Sequence, residues 1–351
     1  MPGVRTSAAR AGRGKLAGLA ATSILAVSLC GCGGSSAASR PSLILYNGQH
    51  PQTTEALVAG FERATGIQVE VRSNDEDVLA DQLVEEGSSS PADVLYTENS
   101  PALEYLQRRG MLAHLPESIL GRVESRYDSP VGDWVGVSAR VSVMVYNTRL
   151  LRPAQLPASV MQLAEPRWRG LLAIAPGETD FQPIVTSIAR RYGRPAAVAW
   201  LEAIKSNAGQ QVYPDNETIT SAVNSGQAEI GIINHYYWYR LKAEVGAAQI
   251  HSAIAYFAPR DAGYVIDVSG AAVLRSARHR AAAERFLEFL VGHRGQEILA
   301  HGDSFEYPLG SGVVTAQPLR PFSDLEPAQL TIADLGDGAE AVALLHLAQL
   351  L

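Results

Sequence analysis

Apolar positions along the chain fall alternately into short runs and helical stripes, and the alternation starts at residue 43. The run at 43–46 predicts a strand, and 54–65 predicts a helix with Leu57, Val58 and Phe61 on one face and Gly66 as its stop. Ile67, Val69 and Val71 alternate as a second strand, 78–86 suits a helix, 92–96 a third strand, and 102–109 a helix closed by Gly110. Repeated β-α units of this kind build an open sheet. The mostly apolar stretch 134–146 exceeds the usual strand length, so it reads as a strand passing from one domain into another. A second set follows, with strands at 171–175 and 229–233 and helices at 181–192, 196–206 and 217–224. A strand at 269–274 returns to the first domain, helices follow at 280–290 and 296–300, and the Ala/Leu-rich end, 325–351, is expected to be helical. The fold class is therefore α/β, with two lobes, each an open mixed sheet flanked by helices, and a hinge of crossing strands between them. One lobe is expected to comprise 43–140 and 268–317, the other 141–267 and 318–351. Ligands in open α/β sheets sit beyond the carboxyl ends of strands. That rule directs attention to three segments, Tyr46–His50, Tyr96–Asn99 and Asn234–Tyr239.

Composition changes this picture mainly at the N-terminus. The 351 residues carry 29 basic and 36 acidic side chains, a formal charge of −7, and Arg5, Arg10, Arg13 and Lys15 stand in the first 31 residues, which hold no acid. The acidic remainder is a poor partner for nucleic acid or anionic lipid. The basic segment leads into an apolar run at 16–29, shorter than the roughly 20 residues of a spanning helix but suited to a secretory signal, so 1–31 is expected to direct export. Leu29-Cys30-Gly31-Cys32 resembles a bacterial lipobox, and the small Gly31 before Cys32 favours Cys32 over Cys30 as the lipidated residue. The Gly/Ser/Ala-rich segment that follows, within 32–42, reads as a flexible tether. Both cysteines lie in this region, so no internal disulfide can staple the body.

At the three segments the chain resembles the periplasmic ferric-ion-binding proteins of ABC importers, the bacterial transferrins of the type II periplasmic-binding-protein fold. The likeness rests on Tyr-Asn-Gly-Gln-His at 46–50, Glu-Glu-Gly at 85–87, Pro-Ala-Asp-Val at 91–94, Tyr-Thr-Glu at 96–98, Tyr-Tyr-Trp-Tyr at 236–239, Ser-Gly-Ala-Ala-Val-Leu at 269–274 and Glu-Tyr-Pro-Leu at 306–309. The resemblance implies that His50, Glu98, Tyr236 and Tyr237 hold the metal. It further implies that Asn234 and Asn216 help bind a small synergistic anion, with Arg140 nearby. It implies as partners an ABC permease and its cytoplasmic ATPase, ferric ion as cargo, contact with the membrane only through the lipid anchor, and a monomer on the extracytoplasmic face.

The residue types suit that cargo on chemical grounds. A hard trivalent cation prefers anionic oxygen donors, and the domain has no thiolate. Two phenolates and one carboxylate supply three negative charges against Fe(3+), with a neutral imidazole completing the set. A divalent metal would leave this set at a net charge of about −1 and would not readily deprotonate phenols of pKa about 10. Each residue also has a plainer role: His50 as a capping group, Glu98 as a solvated carboxylate, the tyrosines as core or as a stacking platform, and Asn216 as an N-cap ahead of Glu217. The main departure from the resemblance is Pro176-Gly177-Glu178-Thr179-Asp180, where phosphate-binding relatives carry a small Ser-Gly-Ala turn. Glu178 and Asp180 would repel an anion there, so water, a small anion or a carboxylate of this turn is expected to complete the metal's coordination, and phosphate is not needed. A sugar, polyamine or thiamine-like ligand is the alternative cargo, which would leave His50 and Glu98 without a task. A ferric tyrosinate enzyme is a further alternative, but catechol-cleaving dioxygenases resemble β-sandwiches with a second ligand histidine, and this pattern offers neither. The sequence also shows no Gly-rich phosphate loop, G-x-S-x-G elbow or H-E-x-x-H helix, so enzymatic activity is not expected. Metabolic lipid labelling tests the anchor: Cys32→Ala should abolish the label and Cys30→Ala should retain it, and the opposite result would move the anchor to Cys30.

Overall fold

The first two apolar runs become the parallel neighbours β1 (Ser42–Gly48) and β2 (Gln68–Ser73), joined by α1 (Pro51–Thr65). Proline at the start of α1 and Gly66, left-handed at φ 72°, at its end delimit the helix as the sequence suggests. The computed structural model describes residues 42–310 and 312–351. The expected signal peptide (1–31), Cys32 and all but the last residue of the tether lie outside the described residues.

Next come α2 (Glu76–Glu86), β3 (Val94–Thr97), α3 (Pro101–Arg108), the single turn α4 (Glu117–Leu120) and β4 (Val135–Asn147). The chain continues through β5 (Leu172–Ala173), α5 (Gln182–Tyr192), α6 (Arg194–Ala208), α7 (Asn216–Ser225), β6 (Ile230–Asn234), α8 (His235–Val245) and β7 (Ser252–Ala255). It closes with β8 (Ile266–Val273), α9 (Arg280–Leu290), α10 (His293–His301), β9 (Tyr307–Pro308), α11 (Ile332–Leu335) and α12 (Ala339–Leu347). Among the described residues no helix is long and apolar enough to cross a membrane.

The strands run in the order β2-β1-β3-β8-β4-β6-β5, with β7 and β9 also paired to β4. Pairs β1–β2, β1–β3 and β5–β6 are parallel, whereas β3–β8 and every pairing of β4 are antiparallel. All thirteen residues of β4 are buried. From Val135 to Val141 it pairs with β8, and from Ser142 onward with β6 and β7. The two expected mixed sheets therefore share one strand and form a single hydrogen-bonded path. Gly270 on β8 allows the close approach this requires, because a Cβ there would lie 2.6 Å from Leu103 Cδ1 and 3.2 Å from the Val135 carbonyl oxygen.

The C-terminal stretch departs from expectation. Helix is confined to α11 and α12 because Pro327 precedes them and Gly336 and Gly338 adopt positive φ (66° and 77°) between them. The strand expected at 171–175 shrinks to two residues, and β8 starts three residues earlier than expected, at Ile266.

The start of β4 is pinned by buried Asp128, whose carboxylate accepts a 2.9 Å hydrogen bond from the Gly136 amide. Burial pushes this carboxyl up to about 7. A carboxyl whose folded pKa lies above its unfolded value of about 4 contributes stability that is complete below pH 4 and is lost as pH rises through about 7. Asp128→Asn should therefore flatten part of the stability decline between those limits, by up to about 1.4 kcal/mol per pH unit, in urea unfolding at a series of pH values. An identical decline in the variant would contradict this assignment.

Candidate metal centre

Local sequence aims each side chain at the cleft. His50 is the second of the two residues between β1 and α1, and Pro51 behind it starts the helix without needing a cap. Its side chain makes no capping bond, so the reading of His50 as a cap fails. The backbone beneath it is held by Asn47, which accepts from the Gln49 amide (3.2 Å) and Thr54 Oγ1 (2.7 Å) and donates to the Gln49 carbonyl (2.7 Å). Gln49 in turn donates to Ser269 Oγ (2.9 Å) and Glu306 Oε1 (3.4 Å), and its own Oε1 accepts from the His50 amide (2.7 Å). Glu98 follows β3 directly. Tyr236 and Tyr237 lie in the first turn of α8, which contains no acidic residue, so anionic phenolates would meet the positive end of the helix dipole unopposed.

These four side chains meet at one atom. Glu98 Oε1 lies 3.1 Å from His50 Nε2 and accepts hydrogen bonds from the hydroxyls of Tyr236 and, at 3.2 Å, Tyr237. His50 Nε2 is also 3.2 Å from the Tyr236 hydroxyl, and the imidazole stands edge-on to both phenol rings. The tyrosines are 0% and 3% exposed, which leaves no open ring face for stacking an organic ligand. A cavity of about 360 Å³ opens on His50, Glu98 and Tyr237, with Glu178, Glu217 and Asp75 also on its wall. Among the described residues no group of three or more His, Cys, Asp and Glu side chains is placed to hold a metal ion without other donors.

The electrostatics follow from burial and the neighbouring charges. Burial alone would raise the Glu98 carboxyl, but the His50 and Arg140 charges and the hydrogen bonds from His50 and Tyr236 outweigh it and hold Glu98 well below the usual range. Both tyrosines are pushed well above 10, first by burial and then by Asp180 and Glu98, so without a cation they are neutral phenols. Arg140, on β4 and fully buried, reaches Glu98 Oε1 at 2.8 Å, Asp180 Oδ1 at 3.7 Å and Glu306 Oε1 at 3.0 Å.

Asp180 is not spent on capping α5. It lies buried in the turn before that helix, accepting from Asn216 Nδ2 (3.0 Å), Asn99 Nδ2 (2.9 Å) and, at 3.4 Å, the Tyr236 hydroxyl. Asn216 is free for this because Asp215, not Asn216, caps α7 through the Thr218 amide (2.7 Å). Two of the groups expected to orient a free anion, Asn216 and Arg140, thus surround a carboxylate of the chain itself. Asn234, the third, is buried at the junction of β6 and α8 and makes no capping bond. Glu178 stays on the cavity wall, its carboxyl pushed up to about 9 by burial and by the Asp180 and Glu98 charges.

Sequence reasoning missed Glu76, Asn99, Gln49 and Glu306 as parts of the site. Asn99, Gln49 and Glu306 stood inside recognised segments and were passed over, whereas Glu76 belongs to no motif. Neighbouring His235 is fully buried, with Nδ1 accepting from the Val141 amide and its ring stacked on Tyr307, and burial pushes it down to about 3, so it remains neutral packing.

The model of the bacterial extracellular solute-binding protein family matches residues 89–331. An Fe(3+)-binding periplasmic protein of Serratia marcescens is 38% identical over 322 residues, covering 92% of this chain and 95% of that protein. The major ferric iron-binding protein of Neisseria meningitidis is 36% identical over 307 residues, covering 87% and 92%. Among solved structures, iron-bound HitA of Pseudomonas aeruginosa superposes with a TM-score of 0.84 at 40% identity, covering 88% of this chain and 99% of that one. With this fold and these matches in hand, the chain belongs to the bacterial extracellular solute-binding protein family.

Proposed function

We propose that this protein is a non-enzymatic, extracytoplasmic solute-binding protein that captures ferric iron between its lobes and delivers it to an ABC permease driven by a cytoplasmic ATPase. The observation that carries this reading is the convergence of His50, Tyr236 and Tyr237 on one oxygen of Glu98 in a buried site. Names of relatives that bind Fe(3+) support it. The lobes would be 43–140 with 268–317, and 141–267 with 318–351, the protein acting as a monomer held at the membrane by lipid on Cys32.

The mechanism is an exchange of protons for metal. Without iron, the phenol protons are shared with the Glu98 carboxylate. A trivalent ion at that point would release both phenol protons, and the proton His50 shares with Glu98, to solvent, and would take the two phenolates, the carboxylate and the neutral His50 imidazole as donors. We assign a fifth position to Asp180, presented by Asn216 and Asn99, and leave a sixth to water. Asp180 thereby takes the place of the separate phosphate anion.

Iron-loaded protein should be coloured by phenolate-to-iron charge transfer, and Tyr236→Phe and Tyr237→Phe should each lose most of the colour and hold iron at least tenfold less tightly. Full colour and retention in both variants would end the assignment. Iron affinity measured by chelator competition should differ by less than tenfold, about 1.4 kcal/mol, between phosphate-free and phosphate-containing buffer. Asp180→Ala should weaken retention and make it depend on added phosphate or carbonate, whereas strong phosphate dependence of the unmodified protein would refute the role given to Asp180.

A further inference from the structure

Glu76 begins α2, belongs to no recognised motif, and is nearly fully buried beside the metal centre. Its carboxylate reaches across to the segment that carries Glu98. One oxygen, Oε2, accepts from the Glu98 amide (2.7 Å) and the Asn99 amide (2.8 Å), and the other, Oε1, accepts from Asn99 Nδ2 (3.2 Å). That same Nδ2 also contacts Thr179 Oγ1 (3.1 Å) and Asp180 Oδ1 (2.9 Å). The Asn99 side-chain oxygen has no partner, so Asn99 is oriented entirely by acceptors for its amino group. Behind Glu76 stands Gly48, two residues before His50, where a Cβ would fall 2.6 Å from Glu76 Cβ and 2.8 Å from its Cα. The close approach of α2 to the end of β1 therefore depends on a missing side chain.

We propose that Glu76 is a positioning residue for metal capture, fixing the Glu98–Asn99 turn and, through Asn99, docking it on the Thr179–Asp180 turn that follows β5. The inference rests on the iron reading above. Glu76 donates nothing to the metal. By holding two successive amides with one oxygen, it sets where the Glu98 side chain leaves the backbone, and by orienting Asn99 it ties Glu98 to Asp180. Two donor-bearing turns from different parts of the chain are thereby held in fixed relation, which lowers the ordering cost of assembling a multidentate site.

Two substitutions separate the links. Glu76→Ala removes all three bonds. Glu76→Gln keeps an oxygen for both amides but sets an amino group against Asn99 Nδ2, so it breaks only the link to Asn99. Glu76→Ala should bind iron at least tenfold more weakly and release it to a competing chelator at least tenfold faster, while at saturating iron its charge-transfer band keeps the position of the unmodified protein because the donors are unchanged. Glu76→Gln should fall between the two. Gly48→Ala, which pushes Glu76 away from the other side, should speed release in the same direction and serves as the second probe if Glu76→Ala fails to fold. Thermal unfolding of the iron-free variants separates positioning from mere support: a lowered melting temperature with affinity and release within twofold of the unmodified protein would overturn the proposal. A shifted charge-transfer band would also overturn it, since the donor set would then have changed. If the unmodified protein neither binds iron nor colours, the iron reading fails and takes this inference with it, whereas a coloured protein indifferent to Glu76 and Gly48 defeats this inference alone.

Discussion

A guanidinium with no exposed surface must be paired, because an isolated charge in the protein interior costs many times the stability margin of a domain. Arg140 meets that requirement with Glu98, Asp180 and Glu306, three carboxylates from three distant parts of the chain. Its presence explains why so many acidic groups can gather in one buried place before any cation arrives. Burial opposes its charge, but the carboxylates of Glu306, Glu98 and Asp180 outweigh that effect and keep it protonated. The residue stands on β4, two positions before the strand changes partner at Ser142, so the site's permanent cation is attached to an entirely buried strand.

Much of the fold was legible because its signals are local. Helix α1 announces itself by apolar spacing and by Pro and Gly at its ends, α9 by apolar spacing, and the length of the 134–146 run exposed β4. The four proposed donors could be singled out from motifs because they stand just beyond strands or in the first turn of a helix. What the sequence hid was nonlocal. No pattern at Asn216 tells whether it or Asp215 caps α7, and only the three-dimensional position of Asp180 shows where the freed amide goes. Glu76 was invisible for the same reason, since its partners lie 22 and 23 residues away in sequence. The C-terminal segment misled in the opposite sense, as its Ala/Leu content favours helix but Gly336 and Gly338 cut the run.

The donor chemistry and the proton chemistry are two faces of one arrangement. Deep burial and the neighbouring carboxylates raise the phenols, so the empty site is occupied by protons shared among oxygen atoms. On the proposed reading a cation of high charge density displaces them, and discrimination against divalent ions would follow from the cost of ionising phenols.

The shared strand has a mechanical consequence. At Val141 β4 faces Ile266 of β8, and at Ser142 it faces Asn234 of β6, while the Ser142 amide bonds the Val265 carbonyl at 2.9 Å. The change of partner thus occupies a single peptide link, accompanied by one neighbouring crossover at 265–266. A twist concentrated there leaves the hydrogen-bond ladders on either side intact. Any rotation of one ladder against the other would have to act at this junction and against the side chains that bridge it, Arg140 among them.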